Sequence, residues 1–494
     1  MMQYKAAVSL AALTIALTAA APAFAADAPK YRDWSAWGGS QDTMQYSDLK
    51  QVTKANVNNL AEVFRIDVAG QVASPIVVGS TIYGVGDGGI FAVDGVTGKK
   101  LWHNKEAAPV GRGVGMYWQS KDGKDKRIIY YTGLGFAELN AVTGEKITGI
   151  GVDGVVDMRE GLDRDPKYLR AVRSGNPGRV FGDLVILGSA PGEGYNAAPG
   201  DIRAWNIRTG KMEWIFHTVP RPGEYGYDTW GKTWNWKAQG AANAWGELTL
   251  DEKNGIIFIP TGTGTTDFVS GDHPGNSLFS SSLLALDAKT GKRLWHFQTV
   301  HHDLWDYDNV TGPKLLNIKV DGTMVEAVAL AGKTGFIYTF ERKTGKPIWP
   351  IEERPVPQTN VPLETTSPTQ PFPTKPEPFA GMTYTAADIG ESATPEARAE
   401  ILRILPTLRN EGIFTPPSIE GSLQMPGNHG GGQYGTVAVD PKKGLLYVTS
   451  VEAPAVIKLV PRKQPARTAA PVRGASVAGA LDSAEAGGGP PQQA

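Results

Sequence analysis

The residues best equipped for chemistry crowd into QTVHHDLWDYD, Gln298 to Asp308. This stretch places His301, His302, Asp303, Asp306 and Asp308 around Trp305. Imidazoles and carboxylates are the side chains that most often move protons. So many at one edge of a repeating unit exceed what solvation needs. Spacing alone nevertheless favours the plainer reading, a polar loop closing over a buried histidine pair. Two isolated cations, Arg112 in VGRGVGMYW and Lys333 in LAGKTGF, read by themselves as ordinary loop residues.

Several other chemistries are excluded. The chain has no cysteine, so it has no disulfide, no thiolate metal site and no covalent haem of the C-x-x-C-H kind. Any redox chemistry must come from a bound cofactor. Gly84 to Gly89 spells G-x-G-x-x-G, but the apolar run Ile90-Phe91-Ala92-Val93 follows it. A dinucleotide fingerprint needs a helix there, so a strand in that place rules it out. The Gly-Lys pairs lack the spacing of a phosphate-binding loop, and neither H-E-x-x-H nor G-x-S-x-G occurs.

The elements that must position these residues are a repeat. FAVDGVTGKKLW (Phe91–Trp102), AELNAVTGEKI (Ala137–Ile147), IRAWNIRTGKMEW (Ile202–Trp214), LLALDAKTGKRLW (Leu283–Trp295) and IYTFERKTGKPIW (Ile337–Trp349) share one pattern. Alternating apolar residues run into a Thr-Gly turn, and the next strand usually carries tryptophan. Each segment predicts a β-hairpin with glycine where positive φ is required. A second hairpin type is expected in LTLDEKNGIIFIPTG (Leu248–Gly262) and VAVDPKKGLLYVTS (Val437–Ser450), with Trp245 and Tyr434 at equivalent positions six residues before the aspartate. Two hairpins per repeat make a four-stranded propeller blade. The fold class expected is therefore all-β, a propeller, with tryptophans packing between blades.

Helix is sparse. TPEARAEILRIL (Thr394–Leu405) predicts one, with Thr394 as N-cap and Pro395 in the first turn. Pro355 to Pro378 predicts an extended surface excursion. The N-terminus pairs Lys5 with an apolar run from Ala6 to Ala21 and a small-x-small site at Ala23-Phe24-Ala25. That pattern predicts a cleaved signal peptide over 1–25 and a mature protein outside the cytoplasm. No later segment is apolar enough to span a bilayer, and a net charge of −1 leaves no footprint for nucleic acid. Residues 31–462 form the expected propeller domain, and the Ala/Gly/Pro-rich stretch 463–494 is expected to be disordered.

With these motifs in view, the chain resembles the pyrroloquinoline quinone (PQQ) dehydrogenases, most closely their glucose dehydrogenase branch. HHDLWDYD, EERPVPQ (Glu352–Gln358), SPTQPF (Ser367–Phe372), IFTPPSIEGSLQMPGN (Ile413–Asn428) and VIKLVPR (Val456–Arg462) carry the resemblance in order and spacing. It implies an eight-bladed propeller that binds PQQ on its axis. By position, Asp306 matches the general base and Lys333 the lysine that donates to the quinone oxygens. Trp245 matches the indole floor under the cofactor, and Arg112 the arginine that pairs a cofactor carboxylate. Glu193 in SAPGEG resembles a calcium-ligand glutamate, with Asp306 a second ligand. Thr265 stands where alcohol-oxidising members carry an asparagine ligand, and Asp267 is a candidate polar contact beside it.

The sequence also departs from the family. It lacks the vicinal cysteine pair that alcohol-oxidising members place just before the position of Arg112. It opens on a leader instead of several transmembrane helices, so direct quinone reduction through a membrane domain is not implied. The family continues in further strands beyond VIKLVPR, so the expectation is a propeller lacking its last strands or blades. Truncation, a second polypeptide or self-association would each account for that. The expected function is a periplasmic, PQQ- and calcium-dependent dehydrogenase of a sugar or polyol, with glucose preferred and cyclic polyols such as quinate kept open. Its electrons would pass to a cytochrome or a quinone. The alternatives are a non-catalytic propeller scaffold of envelope assembly and an inactive remnant.

Overall fold

Each Thr-Gly turn is held by its own side chains. In the first, Asp94 Oδ1 accepts the backbone N–H groups of Val96 and Thr97 and the Thr97 hydroxyl at 2.8–3.0 Å. Asp287 repeats the set, and Asn140 and Asn206 repeat its backbone bonds. The glycine that follows sits at φ between 67 and 77° in all five turns (Gly98, Gly144, Gly210, Gly291, Gly345), which a Cβ disfavours. These hairpins recur through a computed structural model of the protein. It describes residues 31–461 except 71–73, 111–113, 170–171, 173–176, 193, 195–196 and 233. The leader 1–25 and the tail 463–494 lie outside the described residues.

Four antiparallel four-stranded blades follow in chain order, over 76–104, 116–157, 179–216 and 249–298. The fifth has three strands, Lys314–Val320, Thr323–Ala331 and Ile337–Glu341, and Pro347 bridges Phe340 where a fourth would start. Shorter pairs come after it: Ile351–Pro355 with Thr369–Pro373, Ser422–Gln424 with Ala455–Ile457, and the hairpin Val437–Asp440/Leu445–Val448. The excursion after Pro355 thus returns as a paired strand. The one α-helix among the described residues, Pro395–Ile404, is capped by Thr394 as the sequence predicts. Gly86 and Gly89 face each other in a blade-1 hairpin, so the G-x-G-x-x-G string is a turn. No described helix is long and apolar enough to cross a membrane.

The repeat tryptophans join neighbouring blades. Trp102, Trp214 and Trp295 donate from Nε1 to Ala141, Ala288 and Arg342 of the next blade at 3.1–3.3 Å. Each ring lies on the turn glycine of that blade: Gly144, Gly291 and Gly345 respectively. The second repeat has no tryptophan, and Gly210 of the third rests on Ile150 and Val156 instead. A Cβ on Gly345 would stand 2.5 Å from the Trp295 ring, at φ 72°. Gly345→Ala should therefore cost about 3 kcal/mol, overpacking added to left-handed strain. Gly123, at φ 67° with open space around it, provides the control. Its alanine variant should lose about 1 kcal/mol in the same urea melt.

The pattern of repeats gave no hint of the segment before blade 1. Trp34 pairs with Val77 of blade 1, and the Ser35 carbonyl accepts Tyr117 N–H of blade 2. Gln41 receives Val180 N–H of blade 3 on its side chain and Leu250 N–H of blade 4 on its carbonyl. Lys314 of blade 5 donates to the Thr43 carbonyl, and Val439 N–H of the late hairpin to Met44. One stretch of chain thereby ties together the first strands of all five blades.

Candidate active site

In an up-and-down blade, the entry to strand one and the turn between strands two and three share one end. Trp245 enters blade 4, and Thr263, Thr265 and Asp267 lie in its second-to-third connection. Asp306 and Asp308 enter blade 5, and Lys333 sits in its tight second-to-third turn. The repeat thus delivers these residues to one end of two adjacent blades.

Lys333 is the hub. It is buried, and its Nζ donates to Asp306 Oδ1 at 3.1 Å and to the Asp306 carbonyl at 2.9 Å. Asp308 Oδ2 lies 3.6 Å from the same ammonium, which stands 5.7 Å from the centroid of the Trp245 ring. Asp306 holds φ 56°, a left-handed conformation that aspartate tolerates better than most residues. Gly430 presses its backbone on the Lys333 side chain, leaving no room for a Cβ.

Acids outnumber bases here, and the charge states follow. Burial pushes the Asp306 carboxyl well above the ordinary carboxylate range, and Asp308 and Asp267 push it further, against the pull of Lys333. Lys333 is desolvated too, but Asp308 and Asp306 outweigh that and hold its ammonium above the usual lysine value. Burial raises Asp303 to about 6.

The three carboxylates of the motif have different tasks. Asp303 folds the loop, accepting Ser281 Oγ at 2.7 Å and the N–H groups of Trp305 and Tyr307. Asp308 accepts Trp245 Nε1 at 2.7 Å and Thr263 N–H at 2.5 Å. Asp306 binds Lys333 through Oδ1, and its Oδ2 accepts no hydrogen bond from the described residues. The histidines shape the loop, but of the pair that the plainer reading expected to be buried only His302 is. His302 is buried between the Gly275 carbonyl and Glu364, and His301 contacts Gln298 and Glu353.

Of the residues singled out in the sequence, Asp306, Lys333 and Trp245 come together, with Asp267 close enough to act on Asp306 by charge. Thr265 is fully buried, its hydroxyl donating to Gln239 at 3.1 Å and its carbonyl bonded to His273. Arg112 and Glu193 lie outside the described residues. Sequence reasoning gave Asp308 no role, although it stands two places after Asp306. Gly262, whose Cβ would run into the Asp308 carboxylate, was also passed over.

The surplus of carboxylates suits a hard cation such as calcium. Among the described residues, however, no three His, Asp or Glu side chains converge as a metal cage. The indole of Trp245, flanked by a buried ammonium, suits a flat anionic ring.

A family model described as the glucose/ethanol/alcohol dehydrogenase β-propeller domain, of the PQQ type, matches residues 34–490. The chain belongs to this PQQ family. It is 32% identical over 475 residues to the quinoprotein glucose dehydrogenase of Gluconobacter oxydans (strain 621H), covering 87% of this chain and 57% of the relative. It is 31% identical to the glycerol dehydrogenase large subunit of the same organism, covering 88% and 62%. The chain thus spans about three fifths of the length of these relatives. The quinohemoprotein alcohol dehydrogenase structure from Comamonas testosteroni superposes with a TM-score of 0.62 at 23% identity. That alignment covers 87% of this chain and 59% of the other, and shares the propeller fold of this PQQ family. Family and fold class are therefore as the sequence motifs implied.

Proposed function

We propose that the chain houses the quinone site of a PQQ-dependent dehydrogenase that oxidises a sugar or polyol hydroxyl, in the periplasm after its leader is removed. The observation that carries this reading is the buried Lys333 ammonium clasped by Asp306 and Asp308 beside the Trp245 ring. Bound PQQ would supply the two-electron acceptor for the hydride leaving the carbinol carbon.

This chain's own residues would do the rest. The open Oδ2 of Asp306 takes the hydroxyl proton, so alcohol becomes carbonyl as hydride leaves. Lys333 offers N–H bonds to the quinone oxygens, where negative charge builds during reduction. Trp245 provides the stacking floor, and Arg112 pairs a cofactor carboxylate. Asp306 and Glu193 are the residues that would hold calcium, a Lewis acid for the quinone carbonyl. Glucose is the first substrate to test, because quinoprotein glucose dehydrogenases are among the relatives, and glycerol is the second. A soluble cytochrome or a membrane quinone is the proposed acceptor.

The test is reconstitution of the purified chain with PQQ and Ca²⁺, followed by dye reduction with glucose, glycerol and quinate. Saturable PQQ binding with dye reduction on at least one of these is the expected result. A well-folded chain that binds no PQQ in the presence of calcium sinks the proposal.

A further inference from the structure

We propose that Asp308 is a positioning residue, whose one carboxylate locks the Trp245 indole and the Lys333 ammonium into a fixed slot. The idea rests on the quinone-site reading above and deepens it. Oδ2 receives the indole N–H at 2.7 Å and faces the Lys333 ammonium at 3.6 Å. Oδ1 is anchored to Thr263 N–H at 2.5 Å, so the carboxylate itself cannot turn. Asp308 is only 7% exposed, which strengthens each of these bonds by excluding water.

The consequence is geometric. A half-buried indole that is not held at its edge could pivot about its Cβ–Cγ bond, and a stacking floor that pivots binds a flat ligand poorly. Here Asp308 pins the indole edge while Lys333 stands over the ring. Floor and ammonium are thereby held at a fixed separation before any ligand arrives, the pre-organisation that lowers the cost of binding. Asparagine cannot substitute. Its single amide oxygen can serve the indole or Thr263, and its NH₂ would meet either a donor or the ammonium. Gly262 belongs to the same device, because any Cβ there would displace the Asp308 carboxylate.

The experiment reads the indole directly. In the full chain carrying ¹⁵N-tryptophan, the Trp245 N–H resonance is the one that Trp245→Phe removes. Asp308→Asn should speed its exchange with solvent at least about tenfold, and Gly262→Ala should do the same with every charge retained. PQQ titrations in Ca²⁺ then complete a double-mutant cycle. Asp308→Asn and Trp245→Phe should each weaken binding about tenfold, and the double variant little more than either alone. Unchanged indole exchange in both Asp308→Asn and Gly262→Ala overturns the proposal, as do additive losses in the cycle. If Asp308→Asn does not fold, Gly262→Ala carries the indole readout and the cycle. A wild-type chain with a protected indole but no PQQ affinity defeats the function proposed above, and the indole exchange alone then decides the role of Asp308.

Discussion

Asp306→Asn should lower dye-linked turnover of the reconstituted chain by about 10³-fold while shifting PQQ affinity only a few-fold. Three carboxylates share the motif, and hydrogen bonding selects among them. Both oxygens of Asp303 are committed to Ser281, Trp305 and Tyr307. Both oxygens of Asp308 are committed to Trp245 and Thr263. Of the three, Asp306 alone keeps an oxygen free of described donors, and its side chain is 21% exposed. A proton acceptor needs both features. Asparagine preserves shape and an oxygen for Lys333 but cannot take a proton at neutral pH, so kcat should fall and KM stay near its value. Folding should not suffer, because removing one negative charge relieves the crowding among Asp306, Asp308 and Asp267. Stopped-flow reduction of bound PQQ by glucose measures the step itself. A loss of less than about tenfold would mean that another group accepts the proton.

How far the sequence could carry this reading depended on whether the signal was local. Hairpins announced themselves because the Asp/Asn-x-x-Thr-Gly turn is closed by contacts three or four residues apart, as Asp94 and Asp287 show. The glycine preference follows from φ, and the following tryptophan from the need to cover the next blade's turn. What stayed hidden was non-local. The segment from Trp34 to Met44 has no repeat, yet it bonds four of the five first strands through main-chain groups that any sequence possesses, and the third through the Gln41 side chain. Gln370 and His301 meet across 69 residues, which no spacing rule anticipates.

The candidate site divides the same way. Asp306 and Lys333 were legible only through family motifs, because a lone lysine in a Gly-Lys-Thr-Gly turn looks like a solvent-facing residue. Its burial depends on Gly430, nearly a hundred positions later, whose missing side chain lets the loop close over it. Asp308 was counted among the acids of the motif but assigned nothing, since its partners, Trp245 and Thr263, lie 63 and 45 residues away. The histidines drew attention by residue type, but their partners are carbonyls, Gln298 and glutamates that shape the loop. Residue type suggested the chemistry, and the hydrogen-bond partners distinguish one carboxylate of the motif from the next.

Lys333→Met should be the most damaging single change to stability, costing about 3–5 kcal/mol at pH 8. The methionine fills most of the volume, so the loss is electrostatic rather than a cavity. Without the ammonium, Asp306 and Asp308 face each other in a site from which water is largely excluded. Lys333 now lowers the Asp306 pKa against burial, and removing it sends that carboxyl higher still. A folded-state pKa raised above its unfolded value contributes stability at low pH and loses it as pH rises through the folded value. The penalty in the variant should therefore shrink as pH falls and Asp306 takes up a proton, and grow as pH rises. In the wild type the lysine's own raised value keeps its contribution intact below the ordinary lysine range. Adding Asp308→Asn to Lys333→Met should recover part of the loss, because the site then carries one buried acid fewer. Urea melts of the single and double variants at pH 5 and 8 read both effects. Equal losses at the two pH values would mean that Lys333 supports the fold by packing, and that the carboxylates around it never needed its charge.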